Sequence, residues 1–149
     1  MNLDLLNTTG RNLPTERMVR AVSRLLESMG RDDAELCIVL VDDTTMQELN
    51  NRHRAQDKST DVLSFSQRES LPGAPSVHSP PGAPELLGDV VVSLETAERQ
   101  AQAAGHSLEH ELALLGVHGA LHLLGNEDDS EEGAEAMRLQ QDRILTDIR

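Results

Sequence analysis

Two histidines interrupt the apolar segment LALLGVHGALHLLG at residues 112–125: His118 and His122, four positions apart. In a helix, four residues advance about 400° and rise about 6 Å, so both imidazoles project from one face. That spacing lets two ring nitrogens converge on one cation at roughly 2.0–2.1 Å each. A lone histidine in such a helix is most often a hydrogen-bonded core residue. Two on one face each need a buried partner, because burying an unpaired polar group is costly. A shared metal satisfies both.

The neighbouring residues extend this reading. Gly119 directly follows the first histidine, although glycine inside a helix costs about 1 kcal/mol relative to alanine. Such a cost points to close packing or to backbone access beside the site. Gly125 comes three residues after His122 and offers a left-handed exit from the helix. The chain can then turn residues 126–129, NEDD, back over the two rings. A third ligand at Asp128 gives the spacing His-x3-His-x5-Asp, with Glu127 or Asp129 serving instead if the turn is built differently. Two imidazoles and a carboxylate leave one position open for water, as a catalytic rather than a structural zinc requires. Such an ion lowers the pKa of its water to about 7 and polarises a scissile bond, so hydrolysis is the expected chemistry.

A second pair, His106 and His110, has the same spacing. His106 precedes Ser107, a good helix cap, so these two are expected not to share a helical face and to lie at the surface.

The elements that must position the site follow from periodicity. Leu3 and Leu5 suggest a short first strand, and Met18, Val22, Leu25, Leu26 and Met29 recur at helical spacing up to Gly30. Residues 35–41 read as a buried strand. Asp42 or Asp43 can cap a helix carrying Met46 and Leu49, and 60–65 is a further strand candidate. Residues 66–87 hold five of the six prolines, which excludes a regular element there. A loop of that length is an insertion or a mobile lid, and its His78 reads as a solvated residue. Residues 88–93 form another buried strand, and Ser93 can cap a helix over 94–104. Ser107 opens the histidine helix, running to Leu124, and Ser130 can cap a last helix with Glu131 and Glu132 in its first turn. Strands followed by helices, with no internal repeat, predict one α+β domain over residues 1–149.

Composition limits the alternatives. A chain of 149 residues can bury roughly two-thirds of its unfolded surface without disulfide or metal staples. With one Phe and no Trp or Tyr, the core must come from Leu, Val, Ile, Ala and Met. The single Cys37 cannot form an internal disulfide, reads as a small core residue, and favours a reducing compartment. The start MNLDLLNTTG lacks the features of a signal peptide, and the apolar runs are too short to span a bilayer. A soluble cytoplasmic protein, with no membrane partner, is expected. The net charge of −13 argues against a general nucleic-acid binder. Yet Arg52, His53, Arg54 and Lys58 lie within seven positions, and local charge is what would draw an anionic substrate. Composition alone also allows them to be cations at an ordinary helix end.

Taken together, these blocks resemble the YbeY family of bacterial rRNA maturation factors, described as metal-dependent endoribonucleases specific for single strands. The family motif H-G-x-L-H-L-x-G-Y-D-H is met here by HGALHLLGNED. ELNNRHRAQDKSTDVLSF at 48–65 and LGDVVVS at 87–93 match two further family segments, and Met137 falls where the family's last helix carries methionine. The resemblance covers most of the chain from Glu48 to Met137. It implies an α+β fold with a small mixed sheet, about five helices and a central metal-bearing helix. It further implies action on ribosomal RNA, including 16S rRNA 3′-end processing and ribosome quality control, with the ribosome or its small subunit as partner. By the same resemblance His118 and His122 are the first two metal ligands, His118 also taking a catalytic role. Arg54 is the arginine facing the metal, suited to clamping phosphate. The chain departs from the pattern at Asn126, Glu127 and Asp128, where Asp128 replaces the third histidine, and at His53, where tyrosine is usual. Carboxylate is an accepted zinc ligand, but its charge makes bound water less acidic and shifts metal choice toward harder ions such as Mn²⁺.

Two competing functions fit parts of this pattern. Metzincin peptidases share the spacing His-x3-His-x2-Gly but place a glutamate, their general base, directly after the first histidine, where this chain has Gly119. A non-catalytic ribosome-associated factor with a structural or degraded metal site would equally account for the altered third ligand.

Overall fold

The computed structural model describes residues 2–31, 33–54, 60–66, 86–125 and 130–147, the side chains of Asn2, His53 and Arg54 excepted. Alternation along two apolar strands sets the architecture. In β2 (Glu35–Val41), Leu36, Ile38 and Leu40 are buried toward one face, while Val39 and Val41 pack on the other. The later strand β4 (Leu86–Ser93) divides likewise, Val90 and Val92 joining the first face and Val91 the second. Strands covered on both faces read as nearly continuous apolar runs, which is why ELCIVLV and DVVVS look as they do.

Among the described residues the sheet has four strands, in the order β1-β2-β4-β3. The first strand, β1 (Asn2–Asn7), runs parallel to β2, and β2 runs parallel to β4. The remaining strand, β3 (Val62–Ser66), pairs antiparallel with β4. This is the expected mixed sheet. Five helices accompany it among the described residues. On the larger face α1 (Glu16–Ser28), α3 (Leu94–Ala104), α4 (Leu108–Leu123) and α5 (Glu131–Asp147) contribute to one core. On the other face Met46 of α2 (Asp43–Arg54) closes a small cluster with Val41, Leu63 and Val91. Both are built from aliphatic side chains and methionine, as the composition required, with Phe65 at the margin of the smaller one.

Several local expectations need correction. Ser93 precedes α3, but its hydroxyl makes no capping bond there; it donates instead to Asp43 Oδ1. That carboxylate also accepts from Thr96 and from Arg99, so it ties the start of α2 to the start of α3. Asp42 is the residue that caps α2, accepting the Thr45 N–H at 2.8 Å. This bond holds the Asp42 carboxyl below its usual range. Its stabilising effect is therefore complete above the ordinary carboxylate pKa and is lost as pH falls through the lowered one. Cys37 is half-buried rather than in the core, because it alternates with Leu36 and Ile38 along the pleat. It lies in register between Asp4 and Asp89, and burial, followed by those two carboxylates, pushes its thiol pKa up. The proline-rich loop and His78 lie outside the described residues, apart from Ser66 in β3 and Leu86 and Leu87 in β4.

The central contact is α4 on the sheet. A Cβ built on Gly119 would lie 2.5 Å from Val90 Cγ1, 3.1 Å from Val62 Cγ2 and 3.2 Å from Ser64 Oγ. Valine side chains are stiff at χ1 and cannot swing aside cheaply. Gly119→Ala is therefore expected to destabilise the protein by about 1–2 kcal/mol, overpacking outweighing the gain in helix propensity. Urea unfolding measures this, and an unchanged or raised midpoint would show that α4 is not seated on the sheet through this glycine.

Candidate metal centre

Helix α4 is apolar nearly all round and is covered accordingly, with Leu112, Ala113, Leu115, Val117, Ala120 and Leu121 all buried. Its start is fixed by Ser107, whose hydroxyl accepts the His110 N–H at 3.1 Å. Its rotation about its own axis is fixed by two glycines. Gly116 faces Met18 and Val22 of α1, and Gly119 faces the sheet. The Gly119 carbonyl additionally accepts from the Ser64 hydroxyl at 2.8 Å. With these faces committed, His118 and His122 remain half-buried.

The two imidazoles meet as their spacing predicts. Their Nε2 atoms are 3.2 Å apart, the ring centroids lie 4.8 Å apart, and the planes are inclined by 75°. Two nitrogens bound at about 2.05 Å to one tetrahedral ion stand about 3.3 Å apart, so the separation fits a shared metal. Two neutral imidazoles suit zinc and related divalent ions. Among the described residues no set of three His, Cys, Asp or Glu side chains gathers at one point, so they bring together two candidate ligands.

The remaining expected residues fall at or beyond the edge of the description. Gly125 has φ 97° and donates its N–H to the His122 carbonyl. The left-handed exit is thus present. Asp128, Glu127 and Asp129 lie outside the described residues, as does Lys58. Arg54 is the last residue of α2; its side chain, like that of His53, also lies outside them.

One contact was not foreseen. Gln141 of α5 is only 8% exposed, and its Nε2 lies 2.6 Å from His118 Nδ1. A signal exists in the sequence: Met137, Gln141, Ile144 and Leu145 form the buried stripe of α5, and a glutamine in such a stripe needs a polar partner.

The other histidine pair departs from expectation. His106 and His110 were expected to lie apart at the surface, yet their rings touch edge to face with centroids 4.6 Å apart. His106 also pairs through Nε2 with Glu111, which is buried at 4% exposure. The cap explains both contacts. Ser107 turns the chain so that the residue before it packs against the first turn, the geometry of a hydrophobic staple. Here a hydrogen-bonded His and Glu occupy the staple positions.

The room around Gly119 also bears on the chemistry. A glutamate there, as a metzincin peptidase needs, would drive its Cβ into Val90. The base position of that mechanism is closed by packing. Among the described residues no helix is long and apolar enough to cross a membrane.

Comparison with known proteins agrees with these features. The family profile described as Endoribonuclease YbeY matches residues 5–149. A protein of that name from Moorella thermoacetica is 42% identical over 138 residues, covering 89% of this chain and 88% of its own. Its namesake from Thermus thermophilus is 42% identical over 129 residues, covering 87% of each chain. The solution structure of TM1509 from Thermotoga maritima aligns with a TM-score of 0.66 over 98% of this chain and 88% of its own. At 21% identity that likeness speaks for the fold. On the profile match and the identity to these relatives, this chain belongs to the Endoribonuclease YbeY family.

Proposed function

We propose that this chain is a metal-dependent endoribonuclease that cuts single-stranded RNA in ribosomal RNA maturation. In this reading His118, His122 and Asp128 hold one divalent ion, zinc by preference, and Arg54 binds phosphate. The observation that carries it is the pair of Nε2 atoms 3.2 Å apart on a buried helix, within the motif HGALHLLG of a chain that belongs to this family.

A bound divalent ion would supply Lewis-acid polarisation of the phosphodiester and a more acidic water. His118 and His122 contribute neutral lone pairs, and a carboxylate at Asp128 partly neutralises the ion. The Arg54 guanidinium, always charged, matches two phosphate oxygens at once. It sits at the end of α2, whose beginning Asp42 and Asp43 cap and clamp. Arg52 and Lys58 add positive charge locally, which a chain of net charge −13 needs in order to attract RNA at all. With the family resemblance goes a cytoplasmic site of action, the small ribosomal subunit as partner, and the whole chain as one hydrolase domain.

Purified protein supplied with Zn²⁺ should cleave single-stranded RNA. Chelation, and separately His118→Ala, should each lower the rate by roughly a thousandfold, the equivalent of several kcal/mol of lost transition-state stabilisation. Cleavage that survives both would refute the mechanism, and peptide hydrolysis with RNA left intact would replace it by a peptidase. Metal bound without cleavage of either substrate would point to a non-catalytic binding factor. The third ligand has its own check: Asp128→Ala should lose bound metal, and unchanged metal content would exclude it. For Arg54, substitution by alanine should slow cleavage, while Arg54→Lys should recover only part of the rate. A lysine variant as fast as wild type would show that bidentate contact is not used.

A further inference from the structure

Gln141 stands where it can decide which nitrogen of His118 is available to a metal. Its amide nitrogen is 2.6 Å from His118 Nδ1, and an amide nitrogen only donates. In this orientation Nδ1 must be bare. A neutral His118 then carries its proton on Nε2, the atom 3.2 Å from His122 Nε2. In that arrangement His118 would have no lone pair on Nε2 to give.

The two ends of an amide exchange places by a half-turn about its last side-chain bond, and they are nearly indistinguishable in shape. After that turn Oε1 occupies the position beside Nδ1. An oxygen there accepts only, so the proton must sit on Nδ1, and the Nε2 lone pair is freed on the side facing His122. Ligating histidines are commonly fixed in this way, by an acceptor on the ring nitrogen away from the ion.

We infer that Gln141 is a positioning residue for the metal centre, its side-chain amide oxygen accepting from His118 Nδ1–H so that the Nε2 lone pair is left for the ion. This rests on the metal-binding reading above. It also accounts for a glutamine at a buried position of α5 between Met137 and Ile144, where an apolar side chain would otherwise be favoured.

The test is a Zn²⁺ titration by chelator competition on wild type, Gln141→Leu, Gln141→Glu and His118→Ala. It is paired with long-range ¹H–¹⁵N spectra of the His118 ring. Gln141→Leu, similar in size but unable to accept, should bind Zn²⁺ about 10–100-fold more weakly. Gln141→Glu has only acceptor oxygens and should bind at least as tightly as wild type. In the zinc-loaded protein a slowly exchanging proton should be seen on His118 Nδ1. That signal should persist in the glutamate variant and be lost in the leucine variant. Unfolding of the metal-free variants checks that each is folded before its affinity is read. Wild-type affinity in a folded Gln141→Leu, with His118→Ala abolishing binding, overturns the role of Gln141 and leaves the metal centre standing. Weakening of both Gln141 variants alike, with the Nδ1 proton absent from zinc-loaded wild type, also overturns it. If wild type binds no Zn²⁺, or His118→Ala binds it as well as wild type, the metal centre itself falls and this role with it.

Discussion

Helix α4 is held against β3 and β4 at a distance that leaves no space for a side chain at Gly119, and against α1 by a second glycine, Gly116. These two contacts lie about 60° apart around the same helix, one toward α1 and one toward the sheet. Between them they fix its rotation, and rotation is what a two-histidine site depends on. Turning a helix by one residue swings a side chain through about 100°. His118 would then be carried out of reach of Gln141, and both histidines out of the half-buried setting they share. The chemistry of the site therefore rests on steric exclusion at positions that carry no chemistry.

That constraint also separates the two histidine pairs. Both have the same spacing in the chain. The pair inside α4 obeys helical geometry, and its Nε2 atoms converge. The pair at the start of α4 straddles the Ser107 cap, so its contact comes from the turn and not from the helix. There the polar demand is met by Glu111, buried beneath His106. In the interior pair part of it is met by Gln141 from another helix. Equal spacing thus yields two different environments, one closed on a carboxylate and one with two ring nitrogens facing each other.

Charge shapes the rest. Three of the thirteen Lys and Arg residues, Arg52, Arg54 and Lys58, lie within seven positions, where local charge would meet an anionic substrate. Arg52 and Arg54 lie in the last turn of α2, whose first turn is secured by Asp42 and whose start is tied to α3 through Asp43, Thr96 and Arg99. An anchored start gives a short helix a defined direction. The smaller core of Met46, Val41, Leu63 and Val91 fixes the middle of that helix to the sheet.

Much of this was legible in the residues themselves. Alternation and apolar runs located β2 and β4, and helical spacing with capping serines located α3, α4 and α5, because these are local consequences of backbone geometry. The convergence of His118 and His122 was equally local, since both lie on one helix and four residues bring them to the same face. Gly125 disclosed the left-handed exit for the same reason. Other features depended on contacts between segments far apart in the chain. Ser93 looked like a cap for α3 but gives its hydroxyl to Asp43, fifty residues away. Gly119 announced close packing without saying that Val90, Val62 and Ser64 were the neighbours. Gln141 carried only the mark of a polar residue on an apolar stripe. Its pairing with His118 needed α5 to dock against α4, which no local pattern encodes. Sequence by itself determined which histidines could share an ion, because the helix repeat does so. The tertiary structure alone decided what holds those rings in place, because that is a matter of which helix packs on which.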